Sequence, residues 1–163
     1  MHNVSVERTL EACKKDLEKI NHLIVGMGAL ADPVPYLTKY ALMKACGTLE
    51  FCFKTIIADM HVGASSQVQN YINRKIRESS MSPTESNICG ILKSFDDNWN
   101  KNFKTELNNH SECGKIRSSL TSLINARNTF AHGMSSTVSF NEVQEYFNES
   151  IKLIEILDNV VHL

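Results

Sequence analysis

Arg127, Asn128 and His132 are the residues whose types and spacing most clearly suit chemistry. Arginine offers a fixed fork of donors to phosphate oxygens, and histidine is the side chain whose charge changes nearest neutral pH. Cleaving a phosphodiester beside a free hydroxyl without a metal needs a base for the hydroxyl proton, a cation for the phosphate and aligned geometry. His132 and Arg127 supply the first two. Asn128 is placed to orient the imidazole or to cap the helix end.

Arg127 also breaks a pattern. Ile116, Leu120, Leu123, Phe130 and Met134 keep the three-four spacing of a buried helix face, and Arg127 stands where the series calls for an apolar residue. Burying an unpaired guanidinium is expensive, so Arg127 needs a carboxylate partner or a cavity that something else fills. His132 lies one turn after Asn128, with Gly133 following as a helix stop. On an ideal helix Arg127 and His132 are about 140° apart, so they flank a groove.

Glu50 is the candidate partner for Arg127. It shares a helix face with Met43, Gly47, Lys54 and Ile57, and Gly47 permits close approach of a neighbouring helix. The plainer reading of Glu50 and Lys54 is an ordinary surface pair. Arg74, Lys75 and Arg77 form a small basic cluster suited to guiding RNA, although such runs usually decorate a solvated face. Trp99, with Lys101 and Lys104, has the chemistry to stack a base and hold phosphate, but packing onto the body of the protein is the favoured reading. His2, His22, His61, His110 and His162 show no ligand spacing with one another or with the cysteines, so no metal site is expected, and no cofactor.

These residues need helices to position them. Only seven glycines and three prolines punctuate 163 residues, and strict alternation over strand lengths is hard to find. The pattern predicts a helix from Ser5 to Leu30 and a second from Asp32, with Pro33 at its start, to Met60, closed by Gly63. A short amphipathic segment follows from Ser65 to Glu78. Ser82-Pro83-Thr84-Glu85 reads as a capping box before short helices at Thr84 to Lys93 and Asp97 to Leu107. A longer helix runs from Ser111 to His132. Ser139 to Glu142 is a second capping box, opening a terminal helix to Val161.

In that last helix Phe140, Val143, Phe147, Ser150, Ile154, Leu157 and Val161 form an apolar seam; in the second, Leu42, Cys46, Leu49, Phe53, Ile56 and Met60 do. The expected architecture is all-α, an antiparallel bundle of four main helices with short helices inserted between the second and third, as a single domain over 1–163.

Composition bounds the function. Seventeen Lys plus Arg against eighteen Asp plus Glu give a net charge of −1, so nucleic-acid contact must come from a local patch. Five cysteines, odd in number and without a C-x-x-C pair, suggest free thiols in a reducing compartment. With neither a signal-like start nor a membrane-length apolar run, a soluble cytoplasmic protein without membrane contact is expected.

The run Arg127-Asn128-Thr129-Phe130-Ala131-His132 fills every fixed position of R-N-x-x-x-H and resembles the signature of the HEPN superfamily. Gly47-x-x-Glu50-x-x-x-Lys54 looks like the second helix of its RiboL-PSP-type branch. The resemblance implies a metal-independent endoribonuclease that leaves 2′,3′-cyclic phosphate ends, with RNA as substrate and two motifs meeting in a homodimer. It further implies a toxin or effector in a toxin-antitoxin or defence system, with a cognate antitoxin or larger defence complex as partner. Some relatives are silenced by modification of a tyrosine two residues beyond the histidine; here that position is Met134. The alternative is a noncatalytic HEPN helical module that binds a nucleotide, RNA or a partner protein.

Overall fold

The protein is described by a computed structural model covering residues 1–134 and 137–163. The described residues form seven α-helices and no strand. Four are long: α1 (Val4–Met27), α2 (Val34–Asp59), α6 (Cys113–Ala131) and α7 (Phe140–Val161). Between α2 and α6 lie α3 (Ser66–Ile72), which runs into one π-helical turn at Asn73–Arg77, then α4 (Glu85–Phe95) and α5 (Asp97–Asn109).

The core forms because each long helix carries an apolar stripe that water disfavours. The α7 seam, Phe140 to Val161, is buried throughout, packed chiefly on α2 and α6. α2 in turn lies against α1, α6 and α7. Its seam is buried from Leu42 to Ile56, with Met60 only partly covered. On α6, Ile116, Leu120 and Leu123 are buried, but Met134 is 58% exposed and belongs to no seam. The stripe ends before it because the helix ends at Ala131.

Several helix ends differ from the sequence expectation. Asn3 caps α1 by accepting from the Val6 amide, and Gly28, at φ +90°, ends the helix before Leu30. Asp32 caps nothing; α2 starts after Pro33. The box expected at Ser82 to Glu85 is instead a Thr84 cap accepting from the Asn87 main-chain N–H, while the Asn87 side chain donates through Nδ2 to the Ser82 carbonyl. Glu85 is drawn away by Arg117, whose Nε and Nη2 reach its two oxygens at 2.7 Å each. Ser139 and Glu142 do form a capping box at α7. The short amphipathic segment expected from Ser65 to Glu78 is α3 followed by the π turn, with Ile72 and Ile76 buried.

At the amino end, the amides of His2 and Asn3 donate to Asp158, a fully buried carboxylate of α7, at 2.5 and 3.2 Å. The Asn3 side chain donates to Asp59 at 2.8 Å, and Asp59 pairs with Arg77. Cys13, Cys46 and Cys52 are buried, Cys89 and Cys113 half-buried, and all five are free thiols. No helix among the described residues is long and apolar enough to cross a membrane.

A candidate active site where α2 meets α6

Helix α6 ends in a Schellman motif, which sets the position of His132. Gly133, at φ +77°, donates to the Phe130 carbonyl, and Met134 donates to Thr129. His132 is the last half-helical residue, its own amide bonded to the Asn128 carbonyl at 3.0 Å. Its side chain is exposed and makes no hydrogen bond among the described residues. Asn128 therefore reaches His132 through its main chain only.

Arg127 is half-buried five residues before His132, and α2 satisfies it. Its Nη2 lies 3.4 Å from Glu50 Oε2, and its Nη1 donates to Asn128 Oδ1 at 3.0 Å. Asn128 thus holds the guanidinium rather than the imidazole. The other oxygen of Glu50 meets Lys54 Nζ at 2.5 Å, and Lys54 also donates to the Ser79 carbonyl beyond the π turn. Lys54 is only 7% exposed at its side chain, so the two form no ordinary surface pair. A single carboxylate is shared between a buried ammonium and a half-buried guanidinium. Each cation then has a counter-charge where water is scarce. The guanidinium stays fixed with N–H groups to spare for a phosphate.

Beneath this pair lies Cys46, whose Sγ donates to the Leu123 carbonyl at 3.5 Å. Burial pushes its thiol up to about 12, outweighing the pull of Arg127 in the other direction. Cys46 is thus a protonated packing residue under the site, and nothing in the sequence singled it out beyond its place in the α2 seam. An open groove of about 390 Å³ borders the site, lined by Gly47, Glu50, Phe51, Lys54, Thr55 and Arg77.

The basic cluster does not act as a unit. Arg77 pairs with Asp59 and donates to Thr55, whereas Arg74 and Lys75 are exposed without side-chain partners among the described residues. Trp99 is partly buried against the core, its ring 6.4 Å from that of His61, as packing requires. Among the described residues no three His, Cys, Asp or Glu side chains gather as a metal-ligand set.

The arrangement is thus a fixed cation, held by a carboxylate and an amide, five residues before an exposed imidazole at a glycine-stopped helix end. The sequence model of the RiboL-PSP-HEPN family matches residues 3–162, nearly the full chain. The chain belongs to that family. Membership supports a helical module of nuclease-related or RNA-related type. In this RiboL-PSP-HEPN protein the Arg127 to His132 stretch is carried on α6 and its companion residues Gly47, Glu50 and Lys54 on α2. No curated protein and no solved structure matches the chain significantly.

Proposed function

We propose that this protein is a metal-independent endoribonuclease acting as a homodimer. The observation that carries the reading is Arg127, held by Glu50 and Asn128 five residues ahead of His132, whose imidazole has no hydrogen bond among the described residues. His132 takes the proton from a 2′-hydroxyl, whose oxygen attacks the adjacent phosphorus. Arg127 stabilises the charge that develops on the phosphate oxygens. The bond from phosphorus to the 5′ oxygen breaks, leaving a 2′,3′-cyclic phosphate and, once that oxygen gains a proton, a 5′-hydroxyl.

The leaving oxygen needs an acid while the base is occupied, and each chain offers one histidine at this place. A second protomer supplies the other. Gly47 favours such a pairing: a Cβ there meets nothing within 4 Å, and Met43 and Phe51 beside it are exposed apolar side chains. A two-fold axis near Gly47 brings both motifs to one seam. Arg74 and Lys75 remain the candidates for guiding RNA, while Arg77 is committed to Asp59. Such an enzyme suits the toxin or effector half of a toxin-antitoxin or defence system. Met134 leaves no tyrosine two residues beyond His132 for an antitoxin to modify.

A second reading, a noncatalytic module that binds a nucleotide, RNA or a partner protein, draws on the lack of any orienting partner for the His132 imidazole among the described residues. The test is cleavage of labelled RNA in EDTA by wild type, Arg127→Ala and His132→Ala. Activity lost in both variants, with helicity and dimerisation kept, supports the nuclease. Equal cutting by all three, or none by wild type, rejects it in favour of the binding module.

A further inference from the structure

The amino end of α2 carries three side chains that contribute little to the core. Tyr36 is 73% exposed and Tyr40 56%. Lys39 is half-buried, with no carboxylate partner among the described residues. Its ammonium lies 5.7 Å from the Tyr36 ring centroid and 5.4 Å from that of Phe130. Phe130 is the fourth position of the Arg127 to His132 stretch, so this aromatic-cation cluster is tied to the helix that bears the candidate chemistry.

The cluster stands at a groove of about 880 Å³ between the end of α1, the start of α2 and the start of α7. Its walls include Ile24, Leu30, Val34, Leu42 and Phe140. That volume falls within the ~300–1,000 Å³ of small-molecule sites. Apolar walls, an exposed aromatic ring and a cation not neutralised by any carboxylate fit a planar heteroaromatic ligand bearing an anion. A nucleotide is such a ligand.

We propose that this groove seats one nucleotide of a single-stranded RNA, its base against Tyr36 and its phosphate at Lys39. The inference rests on the ribonuclease reading for the place of the scissile phosphate. Tyr36 has one face toward the Lys39 ammonium and is otherwise open to solvent, which leaves ring surface for a base. Lys39 meets a phosphate without giving up an ion pair, keeping only its contact with the rings. Asp32 also lines the groove, and its carboxylate repels phosphate while accepting from a base amino group, which turns the base inward. A paired base cannot reach Tyr36, so the substrate strand must be unpaired at this position. Tyr36 lies eleven residues before Gly47, about 16 Å along the axis of α2, leaving the groove clear of the proposed dimer contact.

The test is fluorescence anisotropy with a fluorescein-labelled, random-sequence 2′-O-methyl RNA, which lacks the attacking hydroxyl and so reports binding apart from cleavage. Tyr36→Ala weakens binding about ten-fold, while Tyr36→Phe, which keeps the ring, stays within about two-fold of wild type. Lys39→Ala weakens binding and lowers the salt slope by about one. Equal affinity in all variants, or no binding by wild type, overturns the proposal. Cleavage of ordinary RNA by a protein indifferent to Tyr36 and Lys39 removes this inference alone. Binding that depends on Tyr36 without any cleavage removes the nuclease and keeps the groove.

Discussion

Glu50→Gln is the substitution that most directly tests how the α2–α6 site is built. Glutamine keeps the size and one accepting oxygen but removes the charge shared by Lys54 and Arg127. Breaking a buried ion pair by deleting one partner costs about 3–5 kcal/mol. The 21% exposure of Glu50 and 26% of Arg127 admit water, and the glutamine carbonyl still accepts from Lys54, which together reduce the loss to about 2 kcal/mol. For a chain of this length that lowers Tm by about 4–8 °C. Lys54→Met, which replaces the ammonium by an apolar group of similar length, is milder because Glu50 keeps Arg127. Thermal melts of the two single variants and the double variant give the coupling directly. A fall of less than about 1 °C in Glu50→Gln refutes the shared-carboxylate argument and makes Glu50 an ordinary surface acid.

Other perturbations follow from the same structure. Burial pushes the Cys46 and Cys52 thiols up to about 12 from an ordinary 9.0. Because the folded state favours the protonated form, the stability this gives is complete below about pH 9. It drains as pH rises toward 12, by up to about 1.4 kcal/mol per pH unit for each thiol. Urea midpoints between about pH 8 and pH 10.5 should show this fall, less steeply in Cys52→Ala. Gly47→Leu leaves the protomer helical, since nothing opposes a Cβ there, but blocks close helix approach. Sedimentation velocity should then show a dimer for wild type and a monomer for the variant; a surviving dimer places the interface elsewhere. Ser139→Ala removes the α7 capping box, costing about 1 kcal/mol and lowering Tm by about 2–4 °C.

The parts of the fold legible in the sequence are those where one helix face does one job. The α7 seam has a buried stripe and a capping box, and it folds as its periodicity dictates. The histidine-glycine pair at 132 and 133 marks a helix end, and the structure ends the helix there. Arg127 was visible as a cation in an apolar series, and Glu50 as a carboxylate on the companion helix. The burial of Lys54 was hidden because residues 53–58 of α2 are buried on every side, so no face could be assigned by period. The π turn was equally hidden, since Ile72 and Ile76 keep an ordinary four-residue spacing. Glu85 carries two signals, helix cap and ion-pair partner, and only the fold brings Arg117 to it. Lys39 and Tyr36 gave no pattern until Phe130 of a distant helix was set beside them.

The hold of Asp158 on the first residues affects how the protein is made. Its carboxylate receives amides 155 and 156 positions earlier in the chain, and its helix covers α2 and α6 together. A nascent chain that has passed His132 already contains every residue of the candidate site. Yet the surfaces that α7 covers on α2 and α6 are still bare, and the amino end has nothing to dock on. Helices this short of partners are marginal in water. The arginine-carboxylate platform is therefore completed only when residues 140–161 have left the ribosome, so assembly of the site follows emergence of this helix rather than synthesis of the motif.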